Sequence, residues 1–202
     1  MARPREFDED AVLDAAVQCF WSRGYEATSV RDLATSMGIT GASLYNAFGD
    51  KRSLHRLAFD RYVDRSIADR IRRCETLAPR AAIDAFFGEI LARSLGDPEC
   101  KGCMMVNTAL DVTPDDPELR AAVAGVLVRI EMFFLDRVRA GQSDGSIADA
   151  LSANDLARHL LGALMGVRVL ARVRPERDLL QGIVRSATAL LDGASPRSGS
   201  SA

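Results

Sequence analysis

A chain of 202 residues with 48% hydrophobic and 27% charged residues has enough apolar material for a real core, as one large domain or two small ones. Its net charge of −2 argues against a uniformly basic nucleic-acid binder, so any DNA contact has to come from a local patch. No stretch approaches the roughly 18 apolar residues of a membrane helix. The opening Met-Ala-Arg-Pro-Arg-Glu-Phe-Asp lacks the apolar core of a signal peptide, so a cytoplasmic protein with no membrane partner is expected.

No run alternates apolar and polar residues as a half-buried strand does, whereas helical spacing recurs throughout, so the fold is read as all-α. A first helix is expected from about Asp8 to Arg23, capped by Asp8 or Asp10, with Leu13, Val17, Phe20 and Trp21 on one face and Gly24 at its end. Ser29, with Asp32 three residues on, opens a second helix through a variant capping box; Leu33, Ala34 and Met37 face inward and Gly38 stops it. Gly38-Ile39 makes a turn with Ile39 as a buried plug, Thr40 caps a third helix of two turns, Gly41–Phe48, and Gly49-Asp50 leads into a long fourth. There Leu54, Leu57, Ala58, Tyr62, Ile67 and Ile71 form a stripe to about Cys74. A fifth helix is read over Arg80–Leu95, and a short apolar segment over Cys103–Val112. A seventh helix runs from Pro117 to about Arg139, with Gly141 and Gly145 bracketing a loop. An eighth covers Ala153–Arg172 and a ninth Pro175–Leu191.

The segment Ser29–Lys51 reads as two short helices joined by a tight turn, the second too small and polar to be a core element. A helix that enters a major groove about 12 Å wide needs small and polar residues outside and a few apolar ones inside. Thr40, Gly41, Ala42, Ser43, Tyr45 and Asn46 supply the first, and Leu44 and Phe48 the second. Gly41 and Ala42 allow close backbone approach, Asn46 can read an adenine edge, and Thr40, Ser43 and Tyr45 can meet bases or phosphates. Lys51 is placed to neutralise a phosphate, and Ser29 with the free N–H groups opening the second helix can bind another. From Ser22 to Arg56 the bases Arg23, Arg31, Lys51, Arg52 and Arg56 outweigh Glu26, Asp32 and Asp50. Arg3 and Arg5 suit either a DNA-grasping arm or a plain tail.

These motifs resemble the DNA-binding domain of TetR-type transcriptional repressors. The likeness covers about residues 7 to 60 and rests on the polar cap, Leu33-Ala34, Gly38-Ile39-Thr40, Ser43-Leu44-Tyr45 and Phe48-Gly49-Asp50-Lys51. Many relatives carry His or another aromatic at positions 46 or 47, where this chain has Asn46 and Ala47. The resemblance implies a nine-helix architecture, with a helix-turn-helix DNA-binding domain over residues 1–60, linked through the fourth helix (about 50–74). An effector-binding and dimerisation domain over 61–192 and a disordered tail over 193–202 complete the expected layout. It also implies DNA-contact roles for Thr40, Ser43, Tyr45, Asn46 and Lys51, to which the residue reading adds Ser29, Arg31, Gly41 and Ala42.

TetR-like proteins pair through their last two helices, which points to Leu156, Leu160, Leu164 and Val167 with Leu179, Ile183, Ala187 and Leu190 as a homodimer surface on a palindromic double-stranded operator. A TetR-like effector pocket among helices five to eight implies Phe86, Phe87, Ile90, Met104, Met105, Leu127, Ile130, Phe134, Met165 and Arg168 as lining, hence a hydrophobic or aromatic effector. The expectation is a ligand-released repressor, with Asp64, Arg65 and Arg70 on the fourth helix as candidate coupling contacts. An alternative is thiol sensing at Cys100-Lys-Gly-Cys103, where Lys101 flanks two cysteines. His55 and His159, the only histidines, lack ligand spacing, and there is no Gly-rich phosphate loop, metalloprotease motif or nucleophile elbow. No metal, cofactor, catalytic residue or enzyme activity is therefore expected.

Overall fold

The computed structural model describes residues 8–193. Among the described residues there are nine helices and no strand. They are α1 (Glu9–Arg23), α2 (Val30–Met37), α3 (Gly41–Phe48), α4 (Lys51–Tyr62, a π-helical segment Val63–Ala68, then Asp69–Glu75), α5 (Pro79–Leu95), α6 (Met104–Asp111), α7 (Pro117–Asp144), α8 (Ala153–Val173) and α9 (Arg177–Ala189). The proposed arm residues Arg3 and Arg5, and the tail beyond Gly193, lie outside the described residues.

The chain divides into two compact units. Among the described residues, unit 1 holds 8–69 and 103–124, and unit 2 holds 70–102 and 125–193. This grouping differs from a cut at residue 60. Residues 103–124 return to unit 1, because α6 packs on α1 and α4 and buries Cys103, Met104, Met105 and Val106 there. Arg52 pairs with Asp116 at 2.7 Å, and Arg56 donates to the Glu118 carbonyl at 3.2 Å.

In unit 1, α1 is capped by the Asp8 carboxylate, which accepts from the Asp10 and Ala11 amides at 3.0 and 3.3 Å. Its apolar side, Val12, Ala16, Val17, Phe20 and Trp21, packs on α4; Leu13 is only half-buried. Arg61 of α4 fastens the two helices, with Nε 2.6 Å from Asp14 and a second nitrogen 2.7 Å from Asp10. The Arg61 hydrogen bond holds the Asp14 carboxyl below its usual range.

The α4 stripe is corrected at one position. Leu57 is 43% exposed, and His55 and Phe59 take the buried side with Leu54, Ala58 and Tyr62. The π-helical segment accounts for the five-residue step from Tyr62 to Ile67, since one extra residue per turn moves the buried position on by one.

Unit 2 is built from α5, α8 and α9, with the body of α7. Phe86 and Phe87 of α5 meet Phe133 and Phe134 of α7, with ring centroids 5.2 to 5.6 Å apart across the pairs. Arg70, one of the candidate coupling contacts, is buried; its guanidinium is 3.2 Å from Glu89 and 5.5 Å from the Phe86 ring.

Helix α7 runs through Gly141 to Asp144, so Gly141 is a helical residue rather than a loop boundary. Its missing side chain makes room for Ile147, whose Cγ1 and Cδ1 would lie 2.6 Å from a Cβ placed there. No described helix is long and apolar enough to cross a membrane.

Candidate nucleic-acid interface

The α2–turn–α3 unit is fixed by local hydrogen bonds that its sequence dictates. Ser29 and Asp32 form a reciprocal capping box: the Asp32 amide donates to Ser29 Oγ at 3.1 Å, and the Ser29 amide donates to Asp32 Oδ2 at 3.0 Å. The Ser29 hydroxyl, donating to Asp32 Oδ2 at 2.6 Å, and then the Ser29 amide hold the Asp32 carboxyl below its usual range, and Arg23 pairs with the other oxygen at 3.0 Å. Gly38 closes α2 in the left-handed region, at φ 65°, where a side chain is disfavoured. The following amide, Ile39, donates to the Ala34 carbonyl at 3.1 Å. Ile39 itself is half-buried, not the fully buried plug expected, because the turn leaves one side of it open.

Thr40 caps α3, its Oγ1 accepting from the Ser43 amide at 3.1 Å and lying 2.9 Å from the Ser43 hydroxyl. Asp50 caps α4 through the Ser53 amide at 2.7 Å, and that bond depresses its carboxyl.

Helical period then sorts the side chains of α3. Leu44 and Phe48 are buried with Leu33 and Met37. Tyr45 and Asn46 stand about one turn from Ala42 on the outside, with Tyr45 53% exposed. Ser29, Arg31 and Thr40 are exposed, while Gly41, Ser43 and Lys51 are half-buried. Thus the nine residues singled out for DNA contact fall within one stretch of unit 1, residues 29–51. Arg31 has no ion-pair partner among the described residues. The Lys51 ammonium sits 4.2 Å from the centre of the Tyr25 ring, a contact that sequence reasoning missed. The only cue was an aromatic in the loop after α1.

The other candidates divide. Met104 and Met105 belong to unit 1, whereas Phe86, Phe87, Ile90, Leu127, Ile130, Phe134, Met165 and Arg168 belong to unit 2. Leu127 and Met165 are half-buried and the rest are buried. Arg168 donates to Ser94 Oγ at 2.9 Å and to the Gly102 carbonyl at 3.0 Å.

Several of the residues assigned to a dimer surface are corrected. Leu156, Leu160, Leu164 and Val167 are buried within the single chain, as is Ala187, because that stripe of α8 faces α5 and α9. Leu179 and Ile183 are half-buried and Leu190 is exposed. The surface groove along these helices is lined by His159, Gly162 and Ala163 of α8 with Asp178, Leu179, Gly182, Ile183, Ser186 and Ala187 of α9, so Leu179, Ile183 and Ala187 of the assigned set border it. Cys100 and Cys103 are both free thiols; Cys100 is half-buried, and Cys103 is buried and accepts from the Tyr62 hydroxyl at 3.3 Å.

Two short capped helices presenting a polar outer face, followed by a helical body, define a helix-turn-helix transcriptional regulator. Residues 12–56 match the family described as bacterial regulatory proteins, tetR family, and residues 79–187 match the tetracyclin repressor-like C-terminal domain. The chain belongs to the TetR family of DNA-binding transcriptional regulators.

It is 31% identical to the HTH-type transcriptional repressor ComR of Escherichia coli over 172 residues, 84% of this chain and 82% of ComR. It is 32% identical to the HTH-type transcriptional regulator YezE of Bacillus subtilis over 195 residues, 95% of this chain and 100% of YezE. Among solved structures, a cysteine mutant of the TetR family regulator CifR, complexed with 26-base-pair double-strand operator DNA, superposes with a TM-score of 0.83. The two are 32% identical, and the match covers 94% of this chain and 100% of that one.

Proposed function

We propose that this chain is a cytoplasmic homodimeric repressor. It reads a palindromic double-stranded operator through α3 and leaves it when a small hydrophobic or aromatic effector binds in the helical body. The observation that carries this reading is the outer face of α3, where Ala42, Tyr45 and Asn46 project over a buried Leu44 and Phe48. Asn46 is then the base reader, with Ala42 and Gly41 allowing close approach. Ser29, Arg31, Thr40, Ser43, Tyr45 and Lys51 meet the backbone phosphates. The operator-bound CifR mutant and the repressor ComR support both the DNA target and the sign of regulation.

A second copy pairs across the groove of Gly162, Ala163, Leu179, Gly182 and Ile183, so that two recognition helices meet two half-sites. The effector site lies among Phe86, Phe87, Ile90, Leu127, Ile130, Phe134, Met165 and Arg168 of unit 2. The continuous aromatic cluster and the single buried guanidinium among these residues favour an aromatic ligand. Thiol sensing at Cys100 and Cys103 has less behind it, since Cys103 is 5% exposed and engaged by Tyr62.

Footprinting of the purified protein on its own upstream DNA at fixed salt tests the reading. A protected, two-fold symmetric site supplies the operator and opens an effector screen by release. A folded dimer that protects nothing there, and enriches no site from genomic fragments, rejects it.

A further inference from the structure

Unit 1 contains a cavity of about 400 Å³ beside the α1–α2 connection, the start of α4 and the α6–α7 connection. Its size falls in the range of small-molecule sites. Two polar side chains in its wall have no hydrogen-bond partner among the described residues: the His55 imidazole, 5% exposed, and the Thr108 hydroxyl, on a side chain 4% exposed. The rings of Phe20 and Tyr25 flank His55 at centroid distances of 4.8 and 4.9 Å. Neither polar atom is fully enclosed, so both open to the cavity and mark where a ligand's polar atoms would go.

The charged lining is unbalanced. Glu26, Asp111, Asp116 and Glu118 stand against Arg52 and Arg56. Both guanidiniums are engaged, Arg52 with Asp116 at 2.7 Å and Arg56 with Asp60 at 3.0 Å. The carboxylates of Glu26, Asp111 and Glu118 have no ion-pair partner among the described residues. Leu57 and Leu119 add apolar wall. Among the described residues no three His, Cys, Asp or Glu side chains group as a metal site.

We propose that this cavity binds a small organic cation, a primary ammonium on an apolar or aromatic body. The ammonium donates its three N–H groups to the Asp111 carboxylate, the Thr108 hydroxyl and the His55 ring, the Glu26 carboxylate adds its charge, and the body lies against Leu57 and Leu119. Burial pushes the His55 imidazole down to about 4, so at neutral pH it keeps a lone pair to accept with. This site is separate from the effector position proposed in unit 2 and does not depend on it.

The test titrates the full-length protein with phenethylammonium, using phenylacetate as the anionic counterpart, by calorimetry and by NMR of the imidazole signals. The chain has two histidines, so the spectrum of His159→Gln assigns the pair. Saturable binding of phenethylammonium alone, with movement of the His55 signal, is expected. Asp111→Asn, at an exposed position, should weaken binding about threefold. Thr108→Val, nearly isosteric, should weaken it about fivefold. Any of three results overturns the proposal: no saturable binding at millimolar ligand, equal binding of phenylacetate, or affinity unchanged in both variants.

Discussion

The Lys51 ammonium rests over the Tyr25 ring at 4.2 Å, a contact worth about 0.5–1 kcal/mol at an exposed site, so the amine is held near its place yet free to leave for a phosphate. Replacing Lys51 with Ala should weaken binding to all DNA sequences alike. It should also lower the slope of log affinity against log salt by about 0.9 for each phosphate the side chain neutralises. A salt titration of the variant showing the parental slope removes Lys51 from the interface.

His55 acts on stability instead. Its imidazole titrates near 4 in the folded chain and near the ordinary 6.5 when unfolded, chiefly through burial, with Lys51 adding to the shift and Asp116 opposing it. The unfolded chain therefore binds the proton first. Stability is fully present above pH 6.5 and declines as pH falls toward 4, by about 3 kcal/mol. The depressed carboxylates Asp14, Asp32, Asp50 and Asp116 act only lower, below their ordinary 3.8. Denaturant melts between pH 6.5 and 4.5 should show this loss, and His55→Gln should flatten it; an equal slope in the variant assigns the loss elsewhere.

At the scale of elements, two helical glycines make opposite predictions. Ala at Gly141 gains helix propensity of about 1 kcal/mol. It also drives a methyl into Ile147, whose Cβ, at 3.0 Å, is as constrained as its outer carbons, and overpacking of that kind costs about 1–3 kcal/mol. Gly141→Ala should therefore destabilise. Gly162→Ala meets nothing within 4 Å and should stabilise the isolated fold. Denaturation midpoints that shift in the same direction for both would contradict this.

The helices most legible in the sequence are those whose ends are written locally. Ser29 with Asp32, Thr40 with Ser43, and Asp50 with Ser53 fix α2, α3 and the start of α4 through bonds spanning three residues. The outer face of α3 follows from them by helical period. The π-helical segment leaves only one trace, the five-residue step from Tyr62 to Ile67, which an averaged stripe hides. The face of α8 reads backwards in the sequence for a physical reason. Burying Leu156, Leu160 and Leu164 against α5 and α9 leaves the same periodic mark as burying them against a second copy. Of the groove residues, Leu179 and Ile183 are legible as interface positions, whereas Gly162 and Ala163 are too small to mark one on their own.

For the whole molecule, that groove makes assembly testable apart from folding. Leu at Gly162 fits the single chain, since its Cβ has open space, yet it stands where a second copy would approach. Sedimentation should find Gly162→Leu monomeric with its helical circular dichroism intact, and its operator affinity should fall with the loss of two-fold binding. A dimer of unchanged stability would move the pairing surface away from this groove.

Trp21 is the chain's only tryptophan, and it lies buried in unit 1 with its ring 5.2 Å from that of Tyr62. Its emission is thus a private optical reporter for the half of the protein that carries the recognition helix, whereas circular dichroism averages over every helix. If the two signals melt together, the regulator is one cooperative system. If the emission changes first, the DNA-reading half is the softer part, and ligands that firm it up become detectable by light alone.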